Sequence, residues 1–183
     1  MSERILIQKC SPTLAAMKTG NMFSCKFETA CVMKGWLRNW NKKLSAKGLR
    51  FLPLRYRDGR ALIYVYRPSK LKCDLRDNMA REILRSRGYP TETPGLCIAR
   101  LIRKISECGD FPHEVGLFLG YPPEDVLGFI ENKSCESKCA GCWKVYGDEE
   151  KAKMLFAMYK KCTEIYFRQW SSGRTIEQLT VTT

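Results

Sequence analysis

The residues best suited to chemistry are three cysteines close together in Cys135-Glu136-Ser137-Lys138-Cys139-Ala140-Gly141-Cys142. Three thiols on a glycine-containing segment can converge on one soft ion, and thiolates suit zinc, Cu(I) or an iron–sulfur cluster. No fourth ligand is adjacent. His113, the chain's single histidine, is the candidate distant partner for a zinc site of three thiolates and one imidazole. On iron, a small molecule could fill the open position instead.

Two more specific readings of these cysteines fail on context. Spacings of three and then two residues resemble the cluster motif of radical S-adenosylmethionine enzymes, which comes early, before most of a large barrel. Here only 41 residues follow Cys142, and Gly141 stands where those enzymes carry an aromatic residue. Cys139-Ala140-Gly141-Cys142 has thioredoxin-type spacing, but a lowered thiol pKa in that motif needs a helix N-terminus after a strand. This pair precedes an expected strand at Trp143 to Tyr146. Ordinary reduced thiols in a loop remain the plain alternative.

His113-Glu114 is the second candidate. An imidazole can act as a general base, metal ligand or pH switch, and a nearby carboxylate would favour its protonated form. Val115 to Leu119 reads as a short buried strand, in which neighbouring side chains point to opposite faces, so a direct His–Glu dyad is not expected. His113, Glu114 and Tyr121 are instead assigned to a ligand or partner surface beside the cysteine loop. No nucleophile elbow or glycine-rich phosphate fingerprint occurs, and one histidine limits Ser–His or Cys–His catalysis.

The third candidate is a nucleic-acid or acidic-partner surface in the basic N-terminal part. Residues 1–110 carry 23 Lys and Arg against 9 Asp and Glu, whereas residues 111–183 carry 9 against 10. Lys34, Arg38 and Lys42 form a ridge at four-residue spacing. Arg55, Arg57, Arg60 and Arg67 alternate with Tyr56, Tyr64 and Tyr66, so guanidinium groups could hold phosphates while rings stack on bases. The plain alternatives are solvated helix faces and tyrosines packed beneath helices.

These residues need elements to hold them. Ser11 is read as the cap of a short helix over Thr13 to Lys18 that stops at Gly20. Phe27, Ala30, Met33, Leu37, Trp40 and Leu44 recur at helical spacing. Arg57-Asp58-Gly59-Arg60 between LRFLPLRY and ALIYVY marks a β-hairpin, with Pro53 at an edge or bulge. A helix after Pro68 breaks near Asp77 and ends at Gly88; Thr93-Pro94 opens the next, closed by Gly109. Pro122-Pro123-Glu124-Asp125 starts a further helix with acids at its positive end. A last long helix runs from Gly147-Asp148 to Gly173.

The chain has 183 residues, 44% of them hydrophobic and 28% charged, as expected of one globular domain. No apolar run approaches the roughly 20 residues of a membrane span. Charges at Glu3, Arg4 and Lys9 interrupt any signal peptide, so a cytoplasmic location is expected. Cytoplasmic thiols stay reduced, and the ten cysteines need not form disulfides. Hairpin, separated strands and unequal helices predict a single α+β domain over residues 1–183, with a small mixed or antiparallel sheet packed by about five or six helices.

The stretches CSPTLAAMKTGNMFSC, RALIYVYRP, FPHEVGLFLGYPPEDVLGFIENK and CWKVYGDEEKA together resemble a bacterial domain-of-unknown-function family, DUF3793. The resemblance covers nearly the whole chain. It implies a single domain and, since similar proteins occur mainly in anaerobic Gram-positive bacteria, a reducing cytoplasm. It carries no catalytic or binding residues. The functional expectation is a non-catalytic accessory or binding protein, linked to metal or redox chemistry through the cysteine loop. Nucleic-acid or acidic-partner binding and a cofactor-dependent enzyme of unknown reaction are the alternatives.

Overall fold

The computed structural model describes residues 3–107, 111–132 and 136–183. These form two compact units: residues 1–70 with 161–183, and residues 71–160.

The first unit is built on an antiparallel sheet of β1 (Gly20–Lys26), β2 (Arg50–Arg57) and β3 (Arg60–Tyr66), in the order β1-β3-β2. The hairpin forms where expected. Asp58 and Gly59 have φ of 50° and 70°, the paired left-handed conformations of a type I′ turn, which Asp-Gly tolerates. The register shifts between Pro53 and Arg55, and β2 is an edge strand. Both devices accommodate a proline that cannot donate to the ladder.

Strand β1 was not foreseen. Gly20, Asn21, Ser24 and Lys26 are weak strand formers, yet Gly20 pairs with Tyr66 and Lys26 with Arg60 along the full length of β3. Helix α1 (Arg4–Leu14) likewise replaces the expected helix at 13–18. The Ser11 hydroxyl donates back to the Ile7 carbonyl within α1 instead of capping a new helix.

Helix α2 (Ala30–Leu44) is capped by Thr29, whose hydroxyl accepts from the Val32 amide at 3.2 Å. It buries Met33, Leu37, Trp40 and Leu44 in a core with Leu6 and Ile7 of α1, Phe23 of β1 and Ile63 and Val65 of β3. A 3₁₀ turn, Ser45–Lys47, leads into β2. Helix α9 (Ile176–Leu179), opened by a Thr175–Gln178 capping box, adds Ile176 and Leu179 to that core.

Arg67 is wholly buried in this unit. Its Nε donates to Thr13 O at 2.7 Å, Nη1 to Lys47 O at 3.1 Å and Thr183 Oγ1 at 2.8 Å, and Nη2 to Leu14 O at 2.7 Å and Val181 O at 2.8 Å. All five guanidinium hydrogens are thereby satisfied, the condition on which a buried polar group is tolerated. Burial lowers the Arg67 pKa from its ordinary value.

The second unit is mainly helical. Helix α3 (Pro68–Asp74) crosses into it, and α4 (Asn78–Ser86) starts at Asp77, whose carboxylate accepts from the Ala80 amide at 3.0 Å. This is the expected break. Helix α5 (Pro94–Glu107) begins at the Thr93 cap; the expected stop at Gly109 lies outside the described residues. Val115–Phe118 is a helical turn, α6, correcting the expected strand. So short an apolar run has no period that distinguishes the two.

Helix α7 (Pro123–Asn132) and a small antiparallel pair, β4 (Cys139–Ala140) with β5 (Lys144–Val145), complete the unit with the first part of α8 (Glu149–Ser171). The Asp148 carboxylate caps α8 through the Lys151 amide at 3.0 Å. The fold is α+β with nine α-helices among the described residues. Two of them, α6 and α9, are single turns, and the expected helix after Pro68 is divided into α3 and α4, which accounts for the excess over the five or six expected. No helix among the described residues is long and apolar enough to cross a membrane.

Candidate functional site

Asp125 organises the second unit. Placed in the first turn of α7 by Pro123, it turns its carboxylate toward the β5 segment. Oδ2 accepts from the Trp143 indole at 2.7 Å, and Oδ1 accepts from the amides of Tyr146 at 2.7 Å and Gly147 at 2.8 Å. A buried carboxylate with this many donors is compensated where it stands.

The anchored Trp143 ring stacks on Tyr121 at 4.7 Å and meets the edge of Phe156 at 4.5 Å. The Tyr121 hydroxyl donates to Cys142 O at 3.2 Å. Burial first, then the neighbouring Cys142 and Tyr159, push the Tyr121 pKa up to about 12, so the phenol is a donor at neutral pH.

Glycines let these pieces close. A Cβ on Gly128 of α7 would overlap the Tyr146 ring, and one on Gly141 would overlap Phe156. The β4–β5 hairpin can therefore lie against α7 and α8 only where those positions carry no side chain.

Between these elements lies a cavity of about 420 Å³, within the range of small-molecule sites. Its walls are mostly aromatic and aliphatic: Phe111, His113, Val115, Tyr121, Val126, Phe129 and Trp143. Ala140, Gly141 and Lys144 enter from the hairpin, and Asp125 lies at the inner wall. The His113 ring meets Phe129 edge-on at 4.9 Å.

The expected site residues separate. His113 and Tyr121 both line the cavity. Glu114 turns away and is 3% exposed; its carboxylate pairs with Lys104 Nζ at 2.7 Å. Burial pushes the Glu114 pKa up, but the Lys104 hydrogen bond, a backbone amide and the Lys104 charge outweigh it and hold it below the usual carboxylate range. The Lys104 ammonium also sits 4.7 Å from the centre of the Tyr89 ring. Glu114 is thus an internal ion-pair partner of Lys104.

Cys139 is half-buried on β4 and Cys142 is exposed; neither lines the cavity. Cys135 lies outside the described residues. Among the described residues no three His, Cys, Asp or Glu side chains group so as to hold a metal ion. The eight described cysteines are unbridged.

In the first unit, Lys34, Arg38, Lys42, Arg55 and Arg57 are all exposed. Tyr64 is not: it has 0% exposure and stacks on Tyr66 at 4.5 Å and 4°. It therefore presents no ring to a base, and Arg67 is occupied internally. Sequence reasoning missed Phe111, Phe129, Trp143 and Lys144 as a group, since hairpin and α7 residues are brought together by tertiary contacts, the Asp125 hydrogen bonds and the packing of Gly128 on Tyr146. The acid after Pro122-Pro123 was the available signal.

The fold and site define a mixed α/β protein with an aromatic-walled cavity in one of two compact units. By comparison of sequences, the chain belongs to a family described as a protein of unknown function, DUF3793, whose model matches residues 6–180. No curated protein and no solved structure matches it.

Proposed function

We propose that the protein is a non-catalytic binding protein whose ligand site is the aromatic cavity of the second unit. The observation that carries this reading is the set of rings around the cavity, held by the Asp125 carboxylate through Trp143 and supplied with polar groups by His113 and Lys144. Such a site takes a small molecule with a flat apolar body and a polar edge, because ring faces reward planar contact and few polar groups orient it.

Saturation-transfer NMR with indole, quinoline and naphthalene-1-sulfonate tests it. At least one probe is expected to bind the folded protein and to lose binding in Ala140→Trp. Ala140 is exposed on β4, so the indole would fill the cavity without disturbing a core. No binding by any probe, or binding indifferent to Ala140→Trp at unchanged circular dichroism, overturns the reading.

We also retain the single-domain organisation as a proposal, supported by α8, one continuous helix with residues in both units. One urea transition, coincident by tryptophan fluorescence and circular dichroism, is expected. Two separated transitions would refute it.

A further inference from the structure

A second cleft of about 340 Å³ lies on the second unit, lined by Gly88 and Pro90 and by Leu96, Ala99, Arg100 and Arg103 of α5. The α5 residues follow helical spacing and share one face. They present two guanidinium groups beside a short apolar wall. The opposite wall is fixed by local bonds: Pro90 O accepts from the Cys97 thiol at 2.9 Å, and Thr91 Oγ1 accepts from Arg85 Nε at 3.1 Å.

Arg100 is the unusual member. Its Nε is shut off from solvent and has no hydrogen-bond partner among the described residues. Its Nη2 lies 3.9 Å from the position a Cβ would take on Gly88, so the head group is held against the cleft wall. Loss of water at one edge of a cation raises the value of any acceptor that reaches its other edge. Arg103 is one turn away, and its contact with Glu107 is long, 4.0 Å, between side chains 66% and 60% exposed. An exposed pair of that kind yields readily to a competing anion.

We infer that this cleft is a phosphate-binding site, distinct from the aromatic cavity, in which Arg100 and Arg103 hold the phosphoryl oxygens of one ligand. Two forked donors suit a dianion that can accept from both, and Arg85 and Arg87 at the end of α4 add positive charge to the same stretch of chain. Leu96, 48% exposed, gives an apolar substituent on the phosphate a surface to cover. The ligand is therefore either a phosphate monoester or free phosphate.

Calorimetric titrations of the full chain with phenyl phosphate, inorganic phosphate and sodium benzoate, at matched ionic strength, test the inference. Phenyl phosphate or inorganic phosphate is expected to bind at one site per chain. Arg100→Ala and Arg103→Ala should each weaken it about tenfold or more, the scale of one lost charge-assisted hydrogen bond. Tighter binding of phenyl phosphate identifies a monoester; equal binding identifies free phosphate. Either supports the site. Because Arg103 is exposed, its variant stays informative should Arg100→Ala impair folding. Absence of binding by both phosphates, benzoate binding as tightly as phenyl phosphate, or retention of binding in Arg103→Ala overturns the inference.

Discussion

Replacing Asp125 by alanine removes the acceptor for three donors at once, and its cost can be worked from their surroundings. The Trp143 indole is 9% exposed, so an unpaired Nε1–H there should cost about 2 kcal/mol. The Tyr146 and Gly147 amides are half-buried; water can reach them in part, and together they should cost about 1 kcal/mol more. A loss of about 3 kcal/mol in urea unfolding is expected. Asp125→Asn keeps Oδ1 for the two amides and sets an NH₂ against the indole, so it should lose about two thirds of that. Hydrogen exchange separates the two variants: the 146 and 147 amides exchange faster in Asp125→Ala and stay protected in Asp125→Asn. A loss below about 1 kcal/mol in Asp125→Ala, or unchanged protection of both amides, would refute the reasoning.

Gly128→Ala should destabilise by about 1 to 3 kcal/mol through overlap with Tyr146. Gly35→Ala, on α2 with nothing within 4 Å of the new Cβ, should stabilise by about 0.5 to 1 kcal/mol; urea midpoints of the same sign would contradict the packing described. Glu114, held below its ordinary value of 4.5, contributes stability above that pH that is lost as acid carries the solution through its lower folded value. Glu114→Gln should therefore flatten the acid limb of a stability–pH curve, and an unchanged limb would discount the Lys104 pair. Iodoacetamide should label exposed Cys31, Cys73 and Cys142 before Cys10 and Cys162, whose thiols burial pushes up to about 12 and about 11. Peptide mass spectrometry showing Cys10 labelled as fast as Cys31 would count against that burial.

What could be read from the sequence was what local chemistry decides. The Thr93 cap, the Asp77 break, the Asp-Gly turn and the acids after Pro122-Pro123 act within a few residues, and each marks a boundary in the structure. Strand β1 was illegible because its residues become a strand through pairing with β3, a partner some forty positions away. Arg67 looked like a surface cation because nothing near it in sequence announces five acceptors drawn from 13–14, 47 and 181–183. The cavity was half legible. His113 and Tyr121 share one motif, whereas Trp143 and Lys144 arrive from a hairpin fastened by tertiary contacts, the Asp125 carboxylate and the Tyr121 hydroxyl among them.

The Arg67 cluster also bears on the order in which the molecule can assemble. Arg67 and Val181 are 114 positions apart, and between the two stretches of the first unit lies the whole of the second, residues 71–160. During synthesis the second unit is complete before α9 exists. Two of the five acceptors for a buried cation are then still unmade, and the sheet lacks Ile176 and Leu179 from its core. The first unit to begin is thus the last whose chain is complete, and its contacts with residues 161–183 close a loop of long sequence separation, with the entropic cost that entails.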